Sequence, residues 1–288
     1  MKRIVVTGKN GQLASELREA LTNNESFECH FLGRNEIPLE QVHILQDILA
    51  MYQPDIIIHT AAYTAVDQAE DEREKANTIN HLATEQIAEY CTVHKAQMVY
   101  ISTDYVFDGT LNQPVNEKTE TNPINVYGQT KYLGEKAVRH FAPNSVIIRT
   151  SWVYSIFGNN FVKTMLKLMD EKTELQVVAD QSGLPTYAKD LADCIVQIVA
   201  AEEWHPGVYH FANTGEGITW YDFACAIRDL AKKNVDVKAV SSDEFVRKAK
   251  RPQYSVLDSS KIQNTFEWHV PNWKESLEKM LKRLASQE

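Results

Sequence analysis

The sequence lacks the features of a membrane-spanning protein and of a nucleic-acid-binding protein. No apolar run approaches the ~18 residues that a transmembrane helix needs. The formal net charge of −9 argues against a nucleic-acid surface as the main partner. The chain opens directly on a strand pattern, so we expect no signal peptide. These absences predict a cytoplasmic protein without a nucleic-acid or membrane partner.

Cysteine is also scarce and shows no pattern. The four cysteines, Cys29, Cys91, Cys194 and Cys225, are far apart and form neither a C-x-x-C pair nor a recognisable disulfide framework. We expect reduced, buried thiols. With 288 residues, 43% hydrophobic and 24% charged, the chain has the composition of a globular enzyme-like protein. That length predicts one large domain or two unequal ones, and no repeat or flexible linker is visible.

A glycine-rich turn follows the first predicted strand. Residues 4–7 form a short β-branched run, residues 8–14 read G-K-N-G-Q-L-A, and a helical pattern continues through Leu17 and Leu21. A strand, a glycine-rich turn and a helix together suit a dinucleotide pyrophosphate, because glycines allow close backbone approach and the helix start offers free amides. The alternative is an ordinary turn between a strand and a helix.

Strand and helix patterns then alternate, which predicts an α/β fold with a doubly wound parallel sheet of the Rossmann type. The predicted strands are 27–32, 55–60, 97–102 and 145–150, and the helices are 42–52, 74–94 and 126–141. Ligands of such sheets bind beyond the carboxyl ends of the strands. Residues 7–8, 61–64 and 102–104 should therefore meet at one crevice.

After residue 150 the rhythm changes. Helix patterns cover 160–169, 189–201, 219–232 and 273–284, and a strand at 207–213 is expected to rejoin the sheet. We predict that residues 1–150 with about 188–213 form the NADP-binding Rossmann domain. Residues of about 151–187 and 214–288 should form a smaller, discontinuous C-terminal substrate-binding domain.

Tyr127 and Lys131 are the strongest candidates for chemistry. Four residues apart, they share one face of the predicted helix 126–141. The ammonium would favour the phenolate, lower the tyrosine pKa from its usual ~10, and fit Tyr127 for proton transfer to or from a carbonyl or alcohol oxygen. The hydroxyl of Thr103, at a strand end, would hold that oxygen. The similar pair Tyr132 and Lys136 is rotated by about 140° and is interpreted as a solvated surface pair.

The end of the second strand bears on the choice of cofactor. In NAD-binding folds of this type, a carboxylate at that tip binds the adenine ribose hydroxyls. Here the strand ends at Gly33-Arg34, and Glu36 comes two residues beyond Arg34. We expect Arg34 to meet the 2′-phosphate of NADP(H), with NADH tolerated. The alternative is a solvated loop charge.

Longer strings connect the chain with a known family. It resembles the extended short-chain dehydrogenase/reductases and, within them, the dTDP-4-dehydrorhamnose reductase family, nearly from end to end. The matching strings include Ser102-Thr103-Asp104-Tyr105-Val106-Phe107, Asn125-Val126-Tyr127-Gly128-Gln129-Thr130-Lys131, Arg149-Thr150-Ser151-Trp152-Val153-Tyr154 and Arg251-Pro252-Gln253-Tyr254-Ser255.

The resemblance implies reduction of the 4-keto group of dTDP-4-dehydro-6-deoxy-L-mannose with NADPH. The product would be dTDP-L-rhamnose, used for surface polysaccharides. Hydride would come from the nicotinamide and the proton from Tyr127, with Lys131 and Thr103 as its catalytic partners. Expected cofactor contacts are Gly8, Asn10, Gly11, Gln12, Leu13, Arg34, Leu39, Ala61, Ala62, Tyr63, Thr64, Tyr127 and Lys131. Expected substrate contacts are Thr103, Asp104, Tyr105, Trp152, Asn160 and Arg251.

Some of these residues also have simpler structural interpretations, and a few positions depart from the family pattern. Thr103 and Asp104 would also suit a turn cap, and Trp152 would also suit a core. Residues 38–40, Pro-Leu-Glu, and Tyr254 depart from the family pattern.

Quaternary structure and metal content are also suggested by the resemblance. Some relatives form dimers around magnesium held by carboxylates, for which Glu16 and Asp190 are the candidates, although surface charges are the preferred interpretation. We predict no metal and a monomer or homodimer.

Two other functions stay open. One is a non-catalytic, NADP-binding regulatory subunit, and the other is a different nucleotide-sugar reductase or an epimerase.

Overall fold

The computed structural model describes residues 1–22, 24–245 and 247–287. The strands are β1 Lys2–Thr7, β2 Phe27–Leu32, β3 Ile56–His59, β4 Gln97–Thr103, β5 Ser145–Thr150, β6 Val153–Tyr154, β7 Glu174–Val178, β8 Ser182–Gly183, β9 Thr186–Tyr187, β10 Gly207–Phe211, β11 Ile218–Thr219 and β12 Asp236–Val240. The helices are α1 Gln12–Leu21, α2 Leu45–Tyr52, α3 Val66–Ala69, α4 Arg73–Asn77, α5 Ala83–His94, α6 Val126–Phe141, α7 Phe161–Glu171, α8 Ala188–Ala200, α9 Trp220–Leu230, α10 Ser260–Phe266 and α11 Trp273–Ala285.

A six-stranded parallel sheet with the order β10-β5-β4-β3-β1-β2 organises the structure. The strand order reverses at β1, which lies between β2 and β3. Ligands of open parallel sheets bind beyond the carboxyl ends of the strands at such a reversal. The predicted doubly wound sheet is confirmed, and β10 rejoins it beside β5, as predicted.

Both faces of the sheet are covered by helices because the strands are apolar on both sides. One face packs against α1 and α8 through residues such as Leu17 and Ile195. The opposite face packs against α2 and α5 through residues such as Leu49 and Ile87. The turn that follows β1 therefore leads straight into a helix that is fixed on the sheet.

A second hydrophobic core lies among α7, α9 and α11. Phe223 is fully buried at its centre, with Tyr154 and Trp273 packed around it. The short pairs β7–β12, β8–β11 and β6–β9 surround it. Three buried residues that precede 150, Val106, Phe107 and Val115, also join this core. The division into two discontinuous domains stays a prediction.

Two predicted helices are less regular than their patterns indicated. The helix expected over 74–94 consists of α4, a π-helical turn at Thr78–Leu82 and α5. The helix expected over 42–52 begins with a 3₁₀ turn at Val42–Ile44 before α2. π-helical turns often accompany functional sites, and the one here presents a buried Asn80.

An ion pair buried beneath the sheet's carboxyl edge connects four elements. Arg149 of β5 donates to both carboxylate oxygens of Glu135 on α6, at 2.9 and 2.7 Å. Ser102 of β4 donates to the same carboxylate at 2.6 Å. Nη1 of Arg149 also lies 3.5 Å from Nε2 of His210 on β10. Both members of the pair are essentially unexposed, so each depends on the other for its charge to be tolerated.

The prediction of buried thiols holds for two of the four cysteines and is wrong for the other two. All four cysteines are free; Cys91 and Cys194 are buried, and Cys29 and Cys225 are half-buried. Within the described ranges, no helix is both long and apolar enough to cross a membrane.

The buried pair supports a first prediction. Arg149→Met should lower the free energy of unfolding by about 3–5 kcal/mol, because it leaves the Glu135 charge buried without its main partner. Equilibrium urea unfolding, followed by circular dichroism, measures this change.

The matched control is Arg139→Met. Arg139 contacts the same carboxylate at 3.3 Å, but its side chain is 48% exposed, so its loss should cost less than about 1 kcal/mol. Similar costs for the two variants would contradict the assignment.

Candidate active site

A cavity of about 920 Å³ opens beyond the carboxyl ends of β1, β3, β4 and β5. It brings together nearly all the residues predicted for the site. The predicted residues that line it are Gly8, Asn10, Gly11, Gln12, Leu13, Arg34, Leu39, Ala61, Ala62, Tyr63, Thr64, Thr103, Asp104, Tyr105, Tyr127, Lys131 and Trp152. Asn160 and Arg251 do not line it.

The glycine turn fits against the loop after β3. Gly8 has φ +81°, and a Cβ on it would lie 2.9 Å from Oγ1 of Thr60, so only glycine suits this position. Helix α1 begins at Gln12, and no side chain in the described parts of the chain caps it. The first residues of the helix, Gln12 and Leu13, line the cavity together with Gly11, so uncapped N–H groups are available beside it, as a pyrophosphate site requires.

The tip of β2 corrects one sequence expectation. Although Glu36 follows Arg34, its carboxylate folds back onto the strand tip and accepts hydrogen bonds from Gly33 N–H at 2.9 Å and from Lys9 Nζ at 2.7 Å. A carboxylate is thus present there, but it is paired with Lys9, which lowers its pKa. Arg34 is exposed at the cavity wall and takes part in none of the ion pairs in the described residues.

Asn80 shapes the loop after β3, and the sequence reasoning missed it. Its side chain accepts from Tyr63 N–H at 2.8 Å and donates to Tyr63 O at 3.1 Å. It also donates to Oγ1 of Thr130 on α6 at 3.1 Å. The available signal was a polar residue on the helix face that otherwise carries Ala76, Ala83 and Ile87.

Tyr127 and Lys131 lie in the cavity wall as predicted, but the predicted pKa shift of the tyrosine is wrong. Burial raises the pKa of Tyr127 to about 12, and the neighbouring Thr103 hydroxyl opposes that rise only partly. The Lys131 ammonium instead donates to Ile101 O at 2.7 Å and lies 4.1 Å from the centre of the Tyr100 ring. Tyr127 is therefore a protonated phenol near neutral pH.

Lys131 carries the opposite shift. Burial lowers its pKa to about 7, and the negative charge of Glu135, one helical turn further along α6, opposes this effect. The lysine therefore stands close to the boundary between its charged and neutral forms at neutral pH. A bound ligand that places oxygen atoms beside Lys131 would therefore favour the charged form of the lysine.

Thr103 and Asp104 occupy the end of β4. Thr103 caps the following 3₁₀ turn by accepting from Tyr105 N–H at 3.2 Å, and it donates to Oδ1 of Asp104 at 3.1 Å. Burial raises the pKa of Asp104 to about 6. Both residues therefore act as turn residues and also line the cavity.

An aromatic wall completes the cavity. Trp152 stacks on Trp220 with ring centres 3.6 Å apart, and both line the cavity. Trp152 has φ +48°, which is strained for a bulky residue, and Gly183 makes room for its ring. Trp220, which begins α9, was not predicted from the sequence.

Two predicted substrate residues lie outside this wall. Asn160 caps α7 by accepting from Lys163 N–H at 3.1 Å, and it donates to Oε1 of Gln12 at 3.0 Å. Arg251 forms a two-pronged pair with Asp67, with distances of 3.2 and 2.7 Å.

Comparisons with known proteins agree with this geometry. The family described as "RmlD substrate binding domain" matches residues 1–286. The spore coat polysaccharide biosynthesis protein SpsK of Bacillus subtilis is 40% identical over 99% of each chain. The dTDP-4-dehydrorhamnose reductase of Aggregatibacter actinomycetemcomitans is 39% identical over 96% of this chain and 97% of its own. The chain belongs to the dTDP-4-dehydrorhamnose reductase family.

A solved structure supports the same assignment. The dTDP-4-dehydrorhamnose reductase of Bacillus anthracis, in complex with NADP, superposes with a TM-score of 0.93 at 39% identity, over 98% of this chain and 99% of that one. The predicted resemblance is thus confirmed. The two departures lie in different places: Leu39 and Glu40 line the cavity, whereas Tyr254 packs against the second core.

The two candidate magnesium ligands of this family member have other partners. Glu16 accepts from Ser155 at 2.5 Å and pairs with Arg283 at 2.6 Å. Asp190 accepts from Ser276 and from Asn213, the latter at 2.7 Å. Each carboxylate is satisfied separately, so the residues do not fit a shared magnesium ion, and we derive no role for one.

Lys131 supports the second prediction. Its folded pKa of about 7, against an ordinary 10.5, means that the folded chain carries an unfavourable buried charge at and below neutral pH. Lys131→Met should raise the free energy of unfolding by about 1–4 kcal/mol near pH 6. The gain should shrink between about pH 7 and 10.5, because the folded lysine is then neutral, the unfolded lysine still holds its proton, and the free energy of removing that proton falls as the pH rises.

Urea unfolding at several pH values measures this gain. The control is Lys136→Met, which removes an exposed lysine of the same helix and should change stability little. A loss of stability for Lys131→Met near pH 6 would contradict the charge argument.

Proposed function

We propose that the chain reduces the 4-keto group of dTDP-4-dehydro-6-deoxy-L-mannose with NADPH to give dTDP-L-rhamnose, a precursor of surface polysaccharides. One observation carries this proposal: Thr103, Tyr127 and Lys131 line the same cavity as the glycine turn of residues 8–13. Membership of a family whose relatives include proteins named as dTDP-4-dehydrorhamnose reductases supports the choice of substrate.

The chain's own residues supply the proton and the orientation. When bound, the reduced nicotinamide provides the hydride for the carbonyl carbon. Tyr127, a protonated phenol at neutral pH because burial raises its pKa to about 12, donates its proton to the carbonyl oxygen as that oxygen becomes an alcohol. Thr103 orients the same oxygen through its hydroxyl. Lys131 holds the nicotinamide ribose and offers positive charge beside the reacting groups.

The substrate side of the cavity is formed by Asp104, Tyr105 and Trp152. Asp104, when ionised, accepts hydrogen bonds from sugar hydroxyls, and Trp152 provides a flat apolar wall. Arg251 and Asn160 act less directly in this proposal. Arg251 lies against Tyr105 and opposes the burial that raises the pKa of that phenol, while Asn160 holds Gln12 in the cavity wall.

NADP(H) is the cofactor that these residues suit best. The uncapped start of α1 and the loop of residues 61–64 suit the dinucleotide, and Leu39 lies at the adenine side. Arg34, which pairs with no carboxylate among the described residues, provides a cation for the 2′-phosphate, and Glu36, which would repel that phosphate, is neutralised by Lys9. The B. anthracis relative was solved with NADP. We expect NADH to be tolerated.

The free thiols suit a cytoplasmic enzyme, and a monomer or homodimer stays our proposal for its assembly.

The non-catalytic regulatory subunit is the main alternative. The deciding experiment adds the keto-sugar nucleotide to purified chain and NADPH and follows absorbance of the reduced nicotinamide. Oxidation that requires both components supports the reductase. Bound NADPH without turnover would favour the regulatory role.

The third prediction concerns the acid. Tyr127→Phe should lower kcat by at least about 10²-fold, since general acid catalysis is typically worth 10²–10⁴-fold, and should leave NADPH affinity nearly unchanged. Steady-state kinetics and fluorescence titration separate the two effects. Tyr132→Phe, in the neighbouring turn of α6 and outside the cavity lining, is the control and should be nearly silent. Equal losses would show that the wrong face of α6 was chosen.

The fourth prediction concerns the cofactor. Arg34→Ala should raise KM for NADPH by about 10-fold or more, because it removes a charge-assisted contact worth ~1.5–3 kcal/mol, while KM for NADH should barely change. Lys118→Ala, at an exposed position away from the cavity lining, is the control. An unchanged NADPH preference, or better kinetics with NADH in the native chain, would remove Arg34 from the site.

A further inference from the structure

A serine from the C-terminal part of the chain contacts the proposed active site. Oγ of Ser255 donates to Oδ2 of Asp104 at 2.6 Å, across 151 positions of sequence. Both side chains are buried, with 3% and 2% exposure. No sequence motif assigned a role to Ser255 itself.

The segment that carries Ser255 is firmly held. Ser255 N–H donates to Ser182 O at 2.9 Å, and Ser182 N–H donates to Gln253 O at 2.7 Å. Ser182 belongs to β8, which pairs with β11. The two residues after Ser255, Val256 and Leu257, are buried in the second core. The serine is thus presented to the end of β4 by a rigid part of the second core.

The two oxygens of Asp104 have different side-chain donors. Oδ2 accepts from Ser255, whereas Oδ1 accepts from Thr103. A threonine hydroxyl has a single proton to donate. While the Thr103 hydroxyl donates its hydrogen bond to Asp104, it cannot donate one to the oxygen of a bound substrate. A second, permanent donor to the carboxylate makes it less costly for Thr103 to turn away.

We propose that Ser255 is a positioning residue of the reduction: it holds the Asp104 carboxylate so that the Thr103 hydroxyl is released toward the substrate oxygen. This inference rests on the proposed reductase function. Ser255 itself touches Asp104, and it acts on the reacting oxygen only through Asp104 and Thr103.

The charges around Asp104 determine the expected pH dependence. The phenols of Tyr105 and Tyr127 face it, and Arg251 lies beyond Tyr105. Burial raises the pKa of Asp104 to about 6, and the hydrogen bond from Ser255 lowers it. The ionised carboxylate accepts at both oxygens, whereas protonation turns one oxygen into a donor and disrupts this arrangement, so activity should fall as pH drops through about 6. Loss of Ser255 should move this acidic limb to higher pH.

The test compares three variants by pH profiles of kcat and of kcat/KM for the nucleotide sugar. Ser255→Ala should lower kcat/KM at neutral pH by about 10- to 100-fold, the range for a hydrogen bond to a charged group, and shift the acidic limb upward by about one pH unit. NADPH affinity should stay unchanged. Ser255→Thr keeps the hydroxyl and should restore both the rate and the profile.

The control is Ser259→Ala, in the same segment. Ser259 is also buried, but its hydroxyl exchanges two hydrogen bonds, both of 3.0 Å, with the backbone of Ala212. Its loss should lower the melting temperature and leave the acidic limb in place.

Two outcomes overturn the inference while leaving the reductase proposal intact. One is an active native chain whose acidic limb and kcat/KM are unchanged in Ser255→Ala. The other is a loss that Ser259→Ala reproduces in proportion to its loss of stability, which would make Ser255 merely structural. If the native chain shows no turnover at any pH, the reductase proposal fails first and the Ser255 role falls with it.

Discussion

The buried pair between Arg149 and Glu135 is the interaction on which the site depends. It connects β5 with α6, and Ser102 extends the connection to β4. Each of these residues adjoins a member of the cavity wall: Thr103 follows Ser102, Thr150 follows Arg149, and Lys131 lies one turn before Glu135. A buried pair of this kind adds little net stability, but either partner alone is costly. Here the pair fixes α6, which carries Tyr127 and Lys131, against two strand ends.

Burial around this pair then determines the chemistry of the site. The desolvated phenol of Tyr127 stays protonated, and the desolvated amine of Lys131 lies near its titration point. A protonated Tyr127 phenol can donate a proton to a carbonyl oxygen, and the neighbouring Lys131 can carry a positive charge. This arrangement suits reduction of a carbonyl better than the phenolate that the residue spacing alone had suggested. Burial of these polar groups is unfavourable for stability, but it determines their protonation states near neutral pH.

The predictions from sequence were most accurate for features that depend on residues close together in the chain. The turn after β1, the alternating elements and the helix that carries Tyr127 follow from β-branched runs, glycines and helical periodicity, and they appear at the predicted places. The (i, i+4) spacing placed Lys131 on the correct face of α6, but it could not tell where the ammonium would point. That direction depends on Ile101 and Tyr100, which lie on another strand.

Contacts between distant segments account for the rest. Asn80, Trp220 and Ser255 gain their roles from partners far away in sequence, and Glu36 turns back onto Lys9 in a way that no strand pattern indicates. Arg251 was predicted to contact the substrate, whereas its guanidinium pairs with Asp67. A single sequence shows which polar residues stand at positions expected to be buried, but it does not show which distant residues they contact.

A crystal structure of the chain with NADP⁺ and dTDP-L-rhamnose tests the central claim most directly. We expect the sugar C4 oxygen to lie within hydrogen-bond distance, about 2.6–3.2 Å, of the Tyr127 oxygen, with the Thr103 hydroxyl turned toward it. A sugar bound elsewhere in the cavity, with Tyr127 and Thr103 contacting neither the C4 oxygen nor its neighbours, would contradict this account.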